Sequence, residues 1–213
     1  PRCGIDLTLK NIPGTVDPFA NEHDWYILAE LSGGATDGQQ RAALENALAA
    51  ALDAGTVEDA VIASSAAQAA SLWRIRETMP EAQRIAGGGI RHDVAVPLSR
   101  IAEFIDAASQ NVRAAVADVG IVAYGHLGDG NIHFNLSLGN SEENKVSTAR
   151  RNELMEIVHN TAVELGGTIS AEHGIGRLKR DQIARYKSET ELNVMRVVKA
   201  ALDPQGIMNP GKV

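Results

Sequence analysis

The sequence predicts an α+β fold in which helices cover one face of an antiparallel sheet. Strand-type segments alternate with helical segments along the chain, and the short loop 127–130, Leu-Gly-Asp-Gly, joins two of the strands into a hairpin. Because no low-complexity linker divides the chain, we expect a single domain made of two similar lobes. The arrangement that best fits this order of elements is a duplicated ferredoxin-like sandwich.

Six segments have the apolar runs or the apolar–polar alternation that are typical of strands. Glycine-rich turns flank several of them, and the run Gly87–Gly89 precedes the third. In chain order, the predicted strands are 25–31, 57–63, 90–96, 119–124, 131–138 and 168–171. Residues 1–24 contain Pro-Gly and Asp-Pro turns and are predicted to be irregular.

Five segments have helical patterning. Thr36 with Gln39, and Ser188 with Glu191, have the spacing of capping boxes at two of the helix starts. Pro80 should end or kink the second helix, because proline has no N–H and its ring clashes with the preceding turn. In chain order, the predicted helices are 36–52, 65–80, 97–116, 142–165 and 188–202.

The fifth strand separates polar from apolar side chains. His133 and Asn135 alternate with Ile132 and Phe134, so the two sets point to opposite faces of the sheet. The apolar set belongs in the core under the helices, which leaves the polar face open for a site. If the hairpin is regular, His126 lies at the mouth of its loop, diagonally close to His133.

Two histidines on an open face are suited to binding a metal, because neutral imidazole is a common ligand of zinc and its neighbours. Glu172 is the preferred third ligand, since two histidines and one carboxylate form a known catalytic-zinc pattern. Asp129 is an alternative ligand, but between two glycines it fits a turn better. The segment 174–177, Gly-Ile-Gly-Arg, is only a weak phosphate-loop candidate, and unrelated surface histidines remain the alternative to a metal site.

Composition excludes several other classes of protein. The net charge of −7 and the absence of a Lys/Arg run argue against a nucleic-acid partner. The sequence has no apolar run of membrane-spanning length and no signal-like leader, so we expect a soluble, cytoplasmic protein. Cys3 is the only cysteine, which fits a reducing compartment. His23 and His159 lack any motif context and are interpreted as surface residues.

Three separated motifs resemble a known family. They are YGHLGDGNIHFN at 124–135, SAEHGIGRLKRD at 170–181 and LDPQGIMNPGKV at 202–213. In this order they resemble the C-terminal half of FAD-linked dehydrogenases that oxidise D-2-hydroxy acids, within the vanillyl-alcohol-oxidase flavoprotein superfamily. Within that family, the motifs resemble those of D-2-hydroxyglutarate and D-lactate dehydrogenases. LWRIRETMPEAQR and IRHDVAVPLSRI fit the same family, so the resemblance covers nearly the whole chain.

The resemblance implies a role for residues 1–213 as a whole. They would form an FAD-linked oxidase C-terminal domain, which is a ferredoxin-like cap over the flavin that binds substrate and metal. The N-terminal FAD-binding domain would be absent from this chain, and the isolated chain would be inactive.

The resemblance also implies roles for individual residues. The metal ligands would be His126, His133 and Glu172, the catalytic base His173, the substrate-binding residues Arg76, Arg91 and Asn135, and the flavin contact Asn209. Two positions depart from the family pattern. Arg91 stands where related hydroxyglutarate enzymes have lysine, so a planar fork replaces a point charge. Pro80 stands where some relatives have a substrate-binding threonine, so that contact should be missing.

The implied reaction transfers a hydride from a small D-2-hydroxy acid, such as D-2-hydroxyglutarate or D-lactate, to FAD and yields the 2-oxo acid. The implied cofactors are FAD, held mainly by the missing N-terminal domain, and a divalent metal, with zinc expected. The implied partners are an FAD-binding domain or polypeptide and an electron acceptor such as an electron-transfer flavoprotein or a quinone, with homodimerisation left open. A zinc-dependent hydrolase and a non-catalytic ferredoxin-like module that senses a metal or a small acid are the two alternatives.

Overall fold

The computed structural model describes residues 1–33, 37–138, 147–177 and 179–212. The chain forms two compact units, Pro1–Gly88 and Gly89–Val213. It combines helices with a small antiparallel sheet, which confirms the predicted α+β class. The duplicated ferredoxin-like arrangement stays a prediction. None of the helices in the described ranges is long and apolar enough to span a membrane.

The first unit is built on the packing of two helices. Helices α1 (Arg2–Asn11) and α3 (Ala66–Ile85) contact each other, and Ile5 and Met79 are among their buried side chains. Helix α2 (Asp37–Asp53) lies between them in the sequence. Ser65 caps α3 by accepting a hydrogen bond from the N–H of Gln68.

The second unit contains a three-stranded antiparallel sheet in the order β1-β3-β2. Its strands are β1 (Val94–Ala95), β2 (Gly120–His126) and β3 (Asn131–Ser137). A 3₁₀ turn, Leu98–Arg100, leads into helix α4 (Ile101–Ala115). The later helices are α5 (Thr148–Glu164), α6 (Arg180–Tyr186) and α7 (Glu189–Leu202), and α7 begins with the predicted capping box of Ser188 and Glu191.

Helices α4 and α5 cover one face of this sheet. Phe104 of α4 and Leu154 of α5 are fully buried in one core cluster with Ile132, Phe134 and Leu136 of β3. The side chains of His133 and Asn135 therefore point to the opposite face, because successive residues of a strand alternate. The predicted separation of an apolar core face from a polar face is confirmed.

Several predicted strands are wrong or shorter than expected. Residues 25–31 and 57–63 all lie within the described ranges, and none of them belongs to a strand. Their apolar residues matched the pattern, but a strand is stable only when a neighbouring strand pairs with it. The segment 90–96 contains only the short β1 and an isolated bridge between Ile90 and Leu136, and 168–171 contributes only a bridge from Thr168 to Ala95.

The helix predictions also need correction. Residues 2–11 form α1 instead of an irregular segment, and α6 had not been predicted. Helix α3 continues through Pro80 to Ile85, because Met79 and Ala82 on either side are buried and stabilise the helix despite the missing N–H. Residues 36 and 142, predicted to start two of the helices, lie outside the described residues.

Candidate metal and substrate site

The β2–β3 hairpin brings the two motif histidines together. Tyr124 pairs with His133 and His126 pairs with Asn131, so His126 and His133 are diagonal neighbours on the same face. Their ring centroids lie 6.4 Å apart. Gly130 is required in the loop, because its φ is +75° and a Cβ atom there would lie 2.1 Å from the carbonyl oxygen of Val96. The predicted hairpin is thus confirmed.

A second chain segment reaches this face at residues 171–173, and Asp93 holds it there. The N–H of Ala171 donates to the backbone carbonyl of Asp93 (3.2 Å). The next two N–H groups, those of Glu172 and His173, both donate to Asp93 Oδ2, at 3.2 and 2.8 Å. Asp93 Oδ1 accepts a hydrogen bond from Asn131 Nδ2 (2.8 Å), which links the turn to the base of the hairpin.

The Asp93 carboxyl is 4% exposed and is charged despite its burial. Burial acts to raise the pKa of Asp93, but the hydrogen bonds from the N–H groups of His173 and Glu172, helped by Asn131, outweigh it and lower the pKa below its ordinary value. A carboxylate that accepts several N–H bonds is stabilised in its ionised form, so Asp93 is an acceptor for the turn at neutral pH.

The hairpin and the turn place three polar side chains in contact. His133 Nε2 lies 3.2 Å from Glu172 Oε1, and the rings of His133 and His173 stack with centroids 5.7 Å apart and an interplanar angle of 21°. His173 Nδ1 is 3.4 Å from Asp93 Oδ2, and its Nε2 is 3.7 Å from Glu172 Oε1. His133 is largely buried, while His173 and Glu172 are exposed to solvent.

One pair of these donors, His133 and Glu172, has a separation that suits two ligands of one divalent ion such as zinc. Ligand atoms about 2.1 Å from a tetrahedral metal lie about 3.4 Å from each other, close to the His133–Glu172 separation of 3.2 Å. His126 is exposed at the hairpin mouth, on the side of the sheet that carries His133. Within the described residues, the three side chains whose donor atoms all lie within 4.8 Å of one another are those of Asp93, Glu172 and His173, so the predicted set of His126, His133 and Glu172 is not gathered to that distance.

The other predicted site residues belong to several different elements of the chain. Asn135 is buried, two residues beyond His133 on the same side of β3, and Arg91 is exposed two residues before Asp93. Arg76 is half-buried in α3 of the first unit. Asn209 is exposed in the C-terminal tail and has a positive φ of 46°.

Asp203 anchors the tail that presents Asn209. Its carboxylate accepts hydrogen bonds from the backbone N–H groups of Ile207 (3.0 Å) and Met208 (2.9 Å), and Lys199 pairs with it. The hydrogen bond from Lys199, together with those from the two N–H groups, lowers the pKa of Asp203 although burial opposes the shift. The turn before Asn209 is therefore fixed by a charged, buried side chain.

Comparison with known proteins identifies the family. Residues 4–213 match the family described as FAD linked oxidases, C-terminal domain. The chain belongs to this family. The resemblance carried by the three motifs is therefore confirmed, and it extends over nearly all of the sequence.

Individual relatives of this FAD linked oxidase domain are longer proteins. The chain is 35% identical over 210 residues to a mitochondrial D-2-hydroxyglutarate dehydrogenase of Arabidopsis thaliana, covering 98% of this chain and 36% of the relative. It is 34% identical over 200 residues to a D-2-hydroxyglutarate dehydrogenase of Xanthomonas citri, covering 94% and 42%. It is 30% identical over 219 residues to a D-2-hydroxyglutarate–pyruvate transhydrogenase of Saccharomyces cerevisiae, covering 99% and 43%. The chain thus spans less than half the length of these relatives.

Sequence reasoning missed Asp93 as a residue of this site. Strand alternation assigned it to the same face as Arg91 and Ala95, opposite His92, but Asp93 and His92 are both buried. The available signal was a carboxylate directly before the apolar run Val94–Val96, since a carboxylate that is buried with such a run requires nearby donors. His159 was also assigned wrongly, because it is 1% exposed instead of lying at the surface.

Proposed function

We propose that this chain is the substrate- and metal-binding part of an FAD-dependent dehydrogenase that oxidises a D-2-hydroxy acid to the 2-oxo acid. The observation that carries the proposal is the 3.2 Å approach of His133 Nε2 to Glu172 Oε1 beside the stacked ring of His173. The names of the relatives favour D-2-hydroxyglutarate over D-lactate as substrate. We also propose that the chain is a duplicated ferredoxin-like cap over the flavin.

In this proposal, His126, His133 and Glu172 hold one divalent ion, with zinc preferred. Two imidazoles and one carboxylate leave coordination positions for the hydroxyl and carboxylate oxygens of a 2-hydroxy acid. The bound ion would supply Lewis-acid polarisation of the substrate hydroxyl. The position of His133 on the rigid hairpin, with its ring largely buried, supports a ligand that is held in one orientation.

His173 is the proposed general base. Its Nδ1 faces the Asp93 carboxylate at 3.4 Å, which favours the tautomer with the proton on Nδ1 and a lone pair on Nε2. Nε2 lies 3.7 Å from Glu172 Oε1, next to the proposed metal ligands, and can take the proton of a hydroxyl bound there. The exposure of His173 leaves this nitrogen accessible to a substrate.

Three further residues are proposed to bind substrate. Arg76 and Arg91 would bind the carboxylate through charge-assisted hydrogen bonds, and Asn135 would contact the polar part of the acid from β3. Asn209, in the tail fixed by Asp203, is the proposed flavin contact. Bound FAD would supply the acceptor for the hydride of the substrate carbon.

The partners of the whole protein also remain proposals. They are an FAD-binding domain or polypeptide, an electron acceptor such as an electron-transfer flavoprotein or a quinone, and a second copy of the chain in a homodimer. A cytoplasmic location is proposed on the single cysteine and the composition.

The test is reconstitution with the flavin-binding polypeptide. We expect a yellow complex that reduces an artificial electron acceptor with D-2-hydroxyglutarate, less well with D-lactate, and that loses activity on treatment with a chelator. His133→Ala should abolish this activity, while Glu58→Gln, a charge-neutralising change in the first unit outside the proposed site, should not. Ester hydrolysis by the chain without flavin, or binding of acid or metal with no flavin partner and no turnover, would contradict the proposal.

A further inference from the structure

Asp93 is buried beneath the turn that carries both a proposed metal ligand and the proposed base. Three consecutive N–H groups, those of residues 171–173, donate to its backbone and side-chain oxygens. The carboxylate is 4% exposed, and Asn131 at the hairpin base binds its other oxygen. Asp93 thereby connects the segment before β1, the hairpin and the 171–173 turn, which are far apart in the sequence.

Both carboxylate oxygens of Asp93 are already engaged as hydrogen-bond acceptors within the protein. Its Oδ2 accepts two N–H bonds and its Oδ1 accepts one amide bond, all between 2.8 and 3.2 Å. Turning Oδ2 toward an ion would take it away from the N–H groups of Glu172 and His173, and turning Oδ1 would take it away from the buried amide of Asn131. The proximity of Asp93 to Glu172 and His173 follows instead from its role in holding their backbone.

We propose that Asp93 is a positioning residue of the oxidation reaction. Its hydrogen bonds hold the backbone of Glu172 and His173 next to His133. Its carboxylate also determines which imidazole nitrogen of His173 faces the substrate. The expected effect on catalysis rests on the proposed function. The positioning of Glu172 and His173 by Asp93 is a property of this chain alone. Groups that orient ligands and bases in this way commonly change metal affinity or activity by about 10- to 100-fold when they are replaced.

Asp93→Asn is the informative variant, because it removes the charge and keeps the shape. The new amide oxygen can still accept from the N–H groups of Glu172 and His173, and its NH₂ group can donate to Asn131 if that amide turns over. Among the described residues Asn131 Oδ1 has no hydrogen-bond partner, so it is available as the acceptor. Asp203→Asn is the matched control: its carboxylate is 3% exposed and likewise accepts two consecutive backbone N–H groups, but in the tail.

Two measurements use the full chain without flavin. NMR of the imidazole nitrogens should show His173 mainly as the Nδ1–H tautomer in the wild type and in Asp203→Asn, with a shift toward the other tautomer in Asp93→Asn. Competition with a zinc chelator should show zinc binding weakened about 10- to 100-fold in Asp93→Asn and nearly unchanged in the control. Wild-type tautomer and zinc affinity in Asp93→Asn would overturn the inference.

A third measurement uses the reconstituted flavoprotein at saturating zinc. Asp93→Asn should lower kcat by about 10-fold or more while KM changes much less, because the negative charge that faces Nδ1 of the base is lost and the substrate-binding arginines are unchanged. Equal kcat in variant and wild type would overturn the catalytic part. If the wild type has no dehydrogenase activity, the proposed function fails, and the NMR result still decides the positioning role.

Asn131→Ala provides a second variant in case Asp93→Asn does not fold. It removes the bond to Asp93 Oδ1 and leaves the two backbone bonds to Oδ2 in place. We expect a smaller change of the His173 tautomer and of zinc affinity in the same direction. A folded Asn131→Ala protein with unchanged values of both would count against the positioning role.

Discussion

Two buried histidines should make the second unit sensitive to mild acid. His92 and His159 are 2% and 1% exposed, and their rings meet edge to face with centroids 5.6 Å apart. His92 Nδ1 lies 2.6 Å from the carbonyl oxygen of Phe134, so this nitrogen carries the proton of a neutral ring. His92 Nε2 and His159 Nδ1 are buried without a hydrogen-bond partner among the described residues. A second proton on either of these nitrogen atoms would therefore be buried without a hydrogen-bond acceptor among the described residues.

The pKa values follow from this environment. Burial lowers the pKa of His92 to about 3, with the Phe134 carbonyl opposing the shift and the charges of His159, Lys179 and Arg151 adding to it. Burial and the charge of Lys179 lower the pKa of His159 to about 4. Both values lie below the ordinary 6.5, so the unfolded chain binds more protons in mild acid. Stability is therefore complete above about pH 6.5 and is lost as the pH falls toward the folded values.

The size of the effect can be worked out at pH 5. A histidine that titrates at 6.5 when unfolded and stays neutral in the folded state loses about 2 kcal/mol of stability between pH 7.5 and pH 5. The two residues together should lower the free energy of unfolding by about 4 kcal/mol. The carboxyl groups of Asp93 and Asp203 have lowered pKa values, so the loss of stability between pH 7.5 and pH 5 does not come from these two groups.

Native-state hydrogen exchange of the backbone amides in β3 and α5 measures the free energy of unfolding of the second unit. It is recorded at pH 7.5 and at pH 5, in the presence of a chelator so that no bound metal contributes. His159→Leu should reduce the difference to about 2 kcal/mol, because one of the two buried bases is gone. Trp25 and Trp73 both lie in the first unit, so their fluorescence follows that unit separately. An equal pH dependence in the wild type and in His159→Leu would refute the assignment to these rings.

Three further outcomes are expected. In the reconstituted enzyme, His173→Ala should lower kcat by about 100-fold or more and change zinc affinity little, because it removes the general base. Steady-state kinetics and chelator competition measure these two quantities. A loss of zinc affinity as large as the loss of kcat would make His173 a metal ligand instead. Arg91→Lys should raise the KM for the acid by about 3- to 10-fold and leave kcat close to wild type, since the charge is kept and the bidentate fork is lost. Gly130→Ala should lower the free energy of unfolding in urea by about 2 kcal/mol, because φ is positive there and the new Cβ atom would lie 2.1 Å from the carbonyl oxygen of Val96. Gly128→Ala in the same loop should lower it much less, because no atom lies within 4 Å of the Cβ position.

The hairpin and the site motifs could be predicted because their signals are local. The Gly-Asp-Gly loop sets the register that pairs Tyr124 with His133, and alternation then places His133 opposite the core residue Phe134. Glu172 and His173 were recognised only through their motif. No spacing rule connects them with a hairpin some 40 residues earlier, but the structure brings Glu172 within 3.2 Å of His133.

The failures depend on partners that a local pattern does not specify. Residues 25–31 and 57–63 had the composition of strands, but composition does not reveal which segment pairs with them. Helix α1 had a usable signal that was overlooked, since Ile5, Thr8 and Ile12 recur at helical spacing and are all buried. The position of Asp93 before the apolar run 94–96 was a hint of burial, but the sequence did not show which residues surround it, because the pairing of Ile90 with Leu136 and of Val94 with Ile132 joins segments far apart in the chain.

Asp93 also explains why the ligand-bearing turn can be rigid although Glu172 and His173 are exposed. A buried carboxylate is costly unless donors surround it, and the N–H groups of Glu172 and His173 with the amide of Asn131 are those donors. Moving the turn away would leave a desolvated charge with most of its partners lost, which typically costs several kcal/mol. The protein's own hydrogen bonds therefore hold Glu172 near His133 before any ligand contributes. Such preorganisation reduces the ordering that metal and substrate binding would otherwise require.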